Sequence, residues 1–342
     1  MYKRQGRELW KTDGTTNGTT QVRDINSSGD SSPELLTVYN NKLYFVANDG
    51  INGKELWETN GTAIGTNLVS DLNPGITGSN PQELTIYKGR LYFSAITATT
   101  GREIYRVGTG GGISLFRDIV IGTTGCNAEK FFHYQAQNLL LFVAGNGNSN
   151  KELWYTDGSL VFTNQLKDIN SGSSSSSINS FSGNFAEYNN KVYFTANDGT
   201  NGHELWSTDG TTNGTQLVGN IALSSLSAYP RNLVVANDKL LMIATDSFNG
   251  YELWRYVDPT LSNEELHLTH KLKLHPNPIQ NYFSINTNKL IQKIEVLDIS
   301  GKSIKTFSKS QNNYDISELI AGVYFLKVYT KDKLDTLKIV KK

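Results

Sequence analysis

Short apolar runs bounded by turn residues fill the first three quarters of the chain and recur in a fixed order. Leu35 to Tyr39, Lys42 to Ala47, Lys54 to Glu58 and Thr66 to Leu72 are rich in Tyr, Val, Leu, Phe or Trp and are closed off by Gly, Asn, Asp or Pro. That is strand grammar. Asn40-Asn41 suits a two-residue hairpin, Asn48 to Gly53 a longer one, and Asn60-Gly61 opens a third, because Asn and Gly tolerate the positive φ of tight turns. Leu43-Tyr44-Phe45-Val46 is apolar at every position rather than alternate ones, as expected for a strand covered on both faces. The unit predicted is a four-stranded up-and-down meander packed between neighbours of its own kind.

The unit repeats. Segments of the form E-L-W begin at Glu8, Glu55, Glu103, Glu152, Glu204 and Glu252, and their aromatic residues (Trp10, Trp57, Tyr105, Trp154, Trp206, Trp254) are spaced by 47, 48, 49, 52 and 48 residues. A period near fifty holding several short strands points to propeller blades, whereas helical repeats would place apolar residues at i, i+3 and i+4. The expected fold is all-β: a β-propeller of six consecutive blade units within residues 6–257, the first without its two leading strands and the last without its outer one. The circle need not close. Connectors recur as Asp24-Ile25-Asn26, Asp71-Leu72-Asn73 and Asp168-Ile169-Asn170, and the serine run Ser173 to Ser177 reads as an elongated inter-blade loop.

Beyond residue 257 the grammar changes. Residues 258–271 are polar and read as a linker; in residues 272–342, alternation at Ile294/Val296/Asp298 and Val323/Phe325/Lys327, with turns at Ser300-Gly301 and Thr330 to Asp332, predicts a small Ig-like antiparallel β-sandwich. Charge divides the chain at the same place: 13 Lys against 6 acids from Leu266 onward, 19 basic against 26 acidic residues before it. An acidic repeat region argues against a nucleic-acid partner, since phosphate binding needs a basic surface. No apolar run approaches the roughly 20 residues of a membrane span. The lone Cys126 excludes an intramolecular disulfide and reads as a free thiol in a connector.

The repeats resemble the ELWxxDGT family, β-propeller-like repeats of large secreted bacterial proteins. Glu55-Leu56-Trp57 with Asn60-Gly61-Thr62 and Glu204-Leu205-Trp206 with Asp209-Gly210-Thr211 carry the likeness; Tyr105 and Thr109-Gly110 depart from it, as does Tyr256-Val257. This resemblance implies a fold and an extracellular setting, and no ligand, cofactor or catalytic residue. A second resemblance begins near Leu274. His275-Pro276-Asn277-Pro278, Ile294 to Lys302, Leu319 to Val328 (with Gly322 and Tyr324) and the basic end Lys338 to Lys342 are similar to the C-terminal sorting domain of the type IX secretion system, which usually has Tyr where His275 stands. It implies export across an outer membrane, recognition by the type IX machinery, and display at the surface or release. Met1 to Gln5 resembles the translated end of a transposase adapter and reads as an artefact of an N-terminally truncated frame.

Chemistry is harder to place. A Glu repeated in every blade is expected to bond a neighbouring strand or turn, and the repeated Trp residues to pack between sheets rather than to stack sugars. The Asp of T-D-G-T is expected to accept backbone N–H bonds in its own turn. Asp49-Gly50-Ile51-Asn52 and Asp198-Gly199-Thr200-Asn201 share a D-G-x-N spacing whose oxygens would suit calcium, through Asp49, Asn52, Asp198 and Asn201. The five His residues show no metal-ligand spacing, and there is neither a phosphate loop nor a G-x-S-x-G elbow. Two functional classes follow. One is a non-catalytic binder of an extracellular glycan or protein, recognising it through connectors such as 122–129 and 171–184. The other is a polysaccharide hydrolase or lyase using Glu34 and Glu83, which the sequence places at corresponding starts of inner strands; acid and base must differ in environment, so that equivalence counts against them.

Overall fold

The computed structural model describes residues 6–342 apart from 148–149, 173, 181, 223–224, 247, 249, 257–271, 288–289, 300 and 332–333. The adapter-like start, the linker and Ser300 therefore lie outside the described residues. The chain forms two compact units, residues 1–256 and 257–342, and among the described residues every regular element is a strand.

In the first unit six antiparallel sheets follow one another. Leu9–Lys11 and Thr20–Arg23 make the first, and Glu34–Tyr39, Lys42–Asn48, Lys54–Thr59 and Asn67–Leu68 the second. The third holds Gln82–Tyr87, Arg90–Thr97, Gly101–Val107 and Ile113–Arg117, and the fourth Glu129–Tyr134, Leu139–Gly145, Lys151–Thr156 and Thr163–Lys167. Ala186–Tyr188, Lys191–Asn197, His203–Thr208 and Gln216–Gly219 form the fifth, and Arg231–Ala236, Lys239–Thr245 and Tyr251–Tyr256 the sixth. Strand order equals chain order, so each sheet is a meander, and first strands lie near one another in the second and third, third and fourth, and fifth and sixth sheets. These are propeller blades. Asn40 and Asn41 turn the first hairpin at φ 48° and 60°, the left-handed pair a two-residue hairpin requires.

The outer strand of the second blade is shorter than the Thr66–Leu72 predicted. Val69 N still donates to Leu56 O at 2.9 Å, but the backbone then leaves the sheet because a buried carboxylate takes its next donors. Where the connector passes Lys54, Gly78 makes an isolated parallel bridge with it. A Cβ on Gly78 would sit 2.6 Å from Lys54 N, so only glycine fits.

Apolar burial lies in the seams. Tyr44 and Leu56 of the second blade share a cluster with Leu91, Phe93 and Tyr105 of the third, whereas Phe45 and Trp57 join Leu9, Val22 and Ile25 of the first. Each middle strand thus serves two seams, which explains its unbroken apolar run. The third and fourth blades meet through Tyr92, Ile104, Leu140 and Phe142, the fourth and fifth through Leu141, Leu153, Phe194 and Trp206. A tyrosine closes each of four seams: the hydroxyl of Tyr39 donates to Gly89 O at 3.0 Å, Tyr87 to Asn138 O at 2.5 Å, Tyr134 to Asn190 O, and Tyr188 to Asp238 O at 2.9 Å.

Trp57, Tyr105 and Trp206 are buried as expected, and Trp154 and Trp254 are partly buried, but Trp10 is 52% exposed. The reason is local. Trp57 lies opposite Phe45 on the neighbouring strand and Trp206 opposite Phe194, while the two-stranded first sheet gives Trp10 no such partner.

The second unit is a sandwich. Lys273–His275, Tyr282–Asn286 and Tyr314–Asp315 form one sheet, and Ser303–Phe307, Ile291–Leu297, Gly322–Thr330 and Leu334–Lys341 the other. Both close on one core that includes Phe283, Tyr314, Ile294, Leu326 and Ile339, with Phe283 stacked on Tyr314 at 5.1 Å. The Pro276-Asn277-Pro278 segment lies against the last strand: Asn277 Oδ1 accepts from Val340 N at 3.1 Å, and its Nδ2 donates to Lys338 O at 3.3 Å. Gly322 faces Lys341 in the ladder, and the Tyr324 hydroxyl donates to Ile320 O at 2.9 Å.

Candidate functional site

The recurrent glutamate is a structural anchor in five blades. Glu8 accepts from Ile25 N and Ser31 N, both at 3.1 Å; Glu55 from Asn73 N at 3.2 Å, Ser79 N at 2.7 Å and the Ser79 hydroxyl. Glu103 takes Ile119 N, Val120 N and Cys126 N at 2.8–3.0 Å, Glu152 takes Ile169 N and Ser176 N, and Glu204 takes Ile221 N, Ala222 N and Ala228 N. Each buried carboxylate gathers the connector that leads into the next blade. Burial raises the pKa of Glu55, Glu103 and Glu152 against the pull of these N–H donors, and carries Glu204 up to about 7. Glu252, in the sixth blade, is exposed. Cys126 occupies the slot of Ser79 and Ser176, fully buried and unbridged, and burial pushes its thiol pKa up.

The turn acids are also engaged. Asp13 Oδ1 accepts from Thr15 N at 2.9 Å and Thr15 Oγ1 at 2.7 Å, and Asn60, Asp157 and Asp209 repeat the arrangement. In the D-G-x-N loops, Asp49 Oδ1 accepts from Ile51 N and Asn52 N at 2.9 and 2.8 Å, and Asp49 Oδ2 from Asn52 Nδ2 at 2.8 Å. Asp198 does the same with Thr200 and Asn201. Burial acts to raise both carboxyls, but these donors together hold them below the ordinary range. Both oxygens of each Asp face hydrogen-bond donors, and each Asn offers its N–H rather than its oxygen. That donor set does not fit a calcium cage, which needs converging oxygens. Among the described residues no cluster of three or more His, Cys, Asp or Glu could hold a metal.

What varies from blade to blade is the start of the first strand. Register slips there in four blades, between Glu34 and Thr37, Gln82 and Thr85, Glu129 and Phe132, and Arg231 and Val234. The bulged residues Leu35, Glu83, Lys130 and Asn232 take φ of 53° to 62°. Glu34 lies opposite Val46, and Gln82 opposite Ser94, so Glu34 corresponds to Gln82 and Glu83 to Leu35. The equivalence expected of Glu34 and Glu83 is therefore wrong by one residue: both blades carry the same bulge, and its positive-φ position holds Leu35 in one and Glu83 in the other. Glu34 pairs with Lys54 Nζ at 2.5 Å, while Glu83 Oε2 accepts from Phe131 N of the next blade at 3.1 Å. Both line a cavity of about 780 Å³ between the second and third blades, with Lys54 and the 80–85 segment.

The fifth blade breaks the pattern. Its serine run is not elongated: Ser176 follows Glu152 at the same interval of 24 at which Ser79 follows Glu55. The additional residues come next. Asn179 N donates to Thr195 O at 2.9 Å, the place of Gln82 in the third blade, and Asn184 spans to the sixth blade through Leu233 N and O at 2.8 Å. Asn184 thereby repeats the bridging role of Glu83. The four residues 180–183 stand between, and they account for the spacing of 52 where the others are 47 to 49. Beside them a cavity of about 220 Å³ is lined by Glu129, Lys130, Lys151, Asn179 and Ser180 among others. Lys151 Nζ pairs with Glu129 at 2.9 Å. The sequence holds a signal for this cleft, the one irregular interval, but not the lysines that complete it.

Residues 273–342 match the family described as the secretion system C-terminal sorting domain. The chain is type IX secretion cargo. It is secreted or held at the outer-membrane surface, and no helix among the described residues is long and apolar enough to cross a membrane. No curated protein matches its sequence. Among solved structures it is similar to PorZ of Porphyromonas gingivalis, described as an essential bacterial surface component of the type-IX secretion system, at 12% identity and a TM-score of 0.40 over 90% of this chain and 51% of that one. It is also similar to the β-propeller domain of the Trilobed protease from Pyrococcus furiosus, at 13% identity and a TM-score of 0.38 over 77% of this chain and 75% of the other. The extracellular domain of a putative hybrid two component system from B. thetaiotaomicron gives 9% identity and a TM-score of 0.43, over 98% and 48%. The cargo chain spans about half the length of PorZ, and likenesses this distant transfer no activity.

Proposed function

We propose that this cargo is a non-catalytic, surface-displayed propeller of ELWxxDGT type that binds an extracellular glycan or protein in the clefts where one blade's first strand begins beside the next. The observation that carries this reading is the division of labour among polar groups. The carboxylates that recur from blade to blade are occupied by backbone donors of the fold, whereas the residues around the two inter-blade cavities differ between blades. Variable residues on a rigid frame are where recognition usually resides. A glycan array and a surface-protein panel probed with the intact chain test it. Saturable binding without cleavage, lost when the cleft segments 80–85 or 179–184 are exchanged for those of another blade, supports the proposal; absence of binding on both panels counts against it.

One observation favours the alternative, a polysaccharide hydrolase or lyase. Glu34 and Glu83 are non-equivalent, differ in partners, and line the same cavity, so the objection from repetition falls away. Cleavage of a polysaccharide by the purified chain, abolished by either substitution, would establish the enzyme instead.

A further inference from the structure

The smaller cleft carries a sharper statement, which rests on the binding reading above. Asn179 is 1% exposed. Its Oδ1 accepts from Thr195 N at 3.1 Å, and its backbone N–H bonds Thr195 O. This fixes the amide's orientation, since a flip would set two donors against each other. The Nδ2 group then has no partner, and neither has the buried Oγ of Ser180; both residues line the cavity. A buried donor without an acceptor costs about 1–3 kcal/mol, and native proteins rarely leave one unmet unless the partner comes from outside.

The charge balance says what kind of partner. Two lysines, Lys130 and Lys151, and one acid, Glu129, line the cleft; Lys151 pairs with Glu129, leaving one positive charge in excess. Ser177 and Ser182 add hydroxyls to the wall, groups that donate and accept alike, while the Ser175 hydroxyl is taken up by Lys151 O and Ser177 N. The cavity of about 220 Å³ corresponds to roughly seven waters at liquid volume, room for a single sugar ring. We infer that the cleft between the fourth and fifth blades binds one carboxylated sugar residue, a uronate, with the ligand's acceptors meeting Asn179 Nδ2 and Ser180 Oγ and its carboxylate facing Lys130.

The test is calorimetric titration of the full chain with a galacturonate tetramer, its methyl ester and a poly-glutamate peptide. The free acid should bind, the ester about tenfold more weakly, because a charge-assisted contact is lost, and the peptide not at all. Ser180→Ala and Lys130→Ala should each weaken binding of the acid about fivefold to tenfold. Asn179→Asp keeps the acceptor for Thr195 N but replaces the donor with a negative charge, and should abolish it. Lys239→Ala, at an exposed position of the sixth blade that lines neither cleft, should change nothing. Unaltered melting of each variant confirms that it folds. Equal affinity for acid and ester, equal binding of the peptide, or indifference to all three cleft variants would overturn the inference. If the chain binds array glycans while ignoring uronates, this inference fails and the binding function stands; if it binds nothing, both fail.

Discussion

The propeller and the sandwich bury the same kinds of side chain but divide them differently. In the propeller, apolar residues are split into seams, each shared by two blades. In the sandwich, Phe283, Tyr314, Phe307 and their neighbours form one cluster from both sheets. A stack of seams is held together by nearest-neighbour terms and can lose one locally, whereas a small single core fails as a whole. The difference also separates tasks: the sorting unit needs one defined surface, while the repeat region can carry different groups at each seam.

The largest effect should follow from breaking the single core. Phe283→Ala should cost about 3–5 kcal/mol, comparable to the entire margin of a small domain. A cargo with a general export signal, fused to residues 272–342, should then stop reaching the cell surface; normal display of the variant would contradict a single cooperative core. Trp57→Ala removes a side chain of similar size, 5% exposed, at about 3–5 kcal/mol. Its consequences should stay near the seam of the first two blades, read as faster hydrogen exchange there with the fifth blade unchanged. Uniform loss of protection across all blades would show the seams to be coupled.

A smaller effect tests the anchors. Glu204 has its pKa raised from 4.5 to about 7 by burial, so between those values the folded state binds more protons than the unfolded one. Stability should fall as pH rises from about 4.5 to about 7, by on the order of 1–3 kcal/mol. Glu204→Gln should flatten this slope, and denaturant melts across the range will show whether it does. The smallest effect belongs to the sixth blade. Leu253 is 73% exposed where its counterpart Leu205 is 1%, so Leu253→Ala should shift stability by under about 0.5 kcal/mol and Leu205→Ala by about 2–5 kcal/mol. Equal losses would place Leu253 in a seam.

Much of the fold was legible because strand chemistry and repetition reinforce each other: Tyr44-Phe45-Val46 needs two covered faces, and Asn40-Asn41 needs a left-handed turn. The site was far less so. Its geometry depends on Leu35, Glu83 and Lys130 adopting a backbone conformation unusual for those residues, at one shared bulge position that sets Glu34 level with Gln82 rather than with Glu83. Long-range partners such as Lys54 for Glu34 or Phe131 N for Glu83 have no local signature. The interval of 52 was visible, yet only the ladder assigns its additional residues to 180–183 rather than to the serine run.

The tyrosine hydroxyls that close the seams all point one way along the chain. Tyr39, Tyr87, Tyr134 and Tyr188 each donate to the hairpin of the blade that follows, so each of these four junctions has a built-in polarity and is specified by the two blades that meet there. Gene duplication that adds or deletes one whole period would regenerate the same latch at the new junction. Repeat number is thereby freed to drift among descendants of such a gene without a compensating change elsewhere.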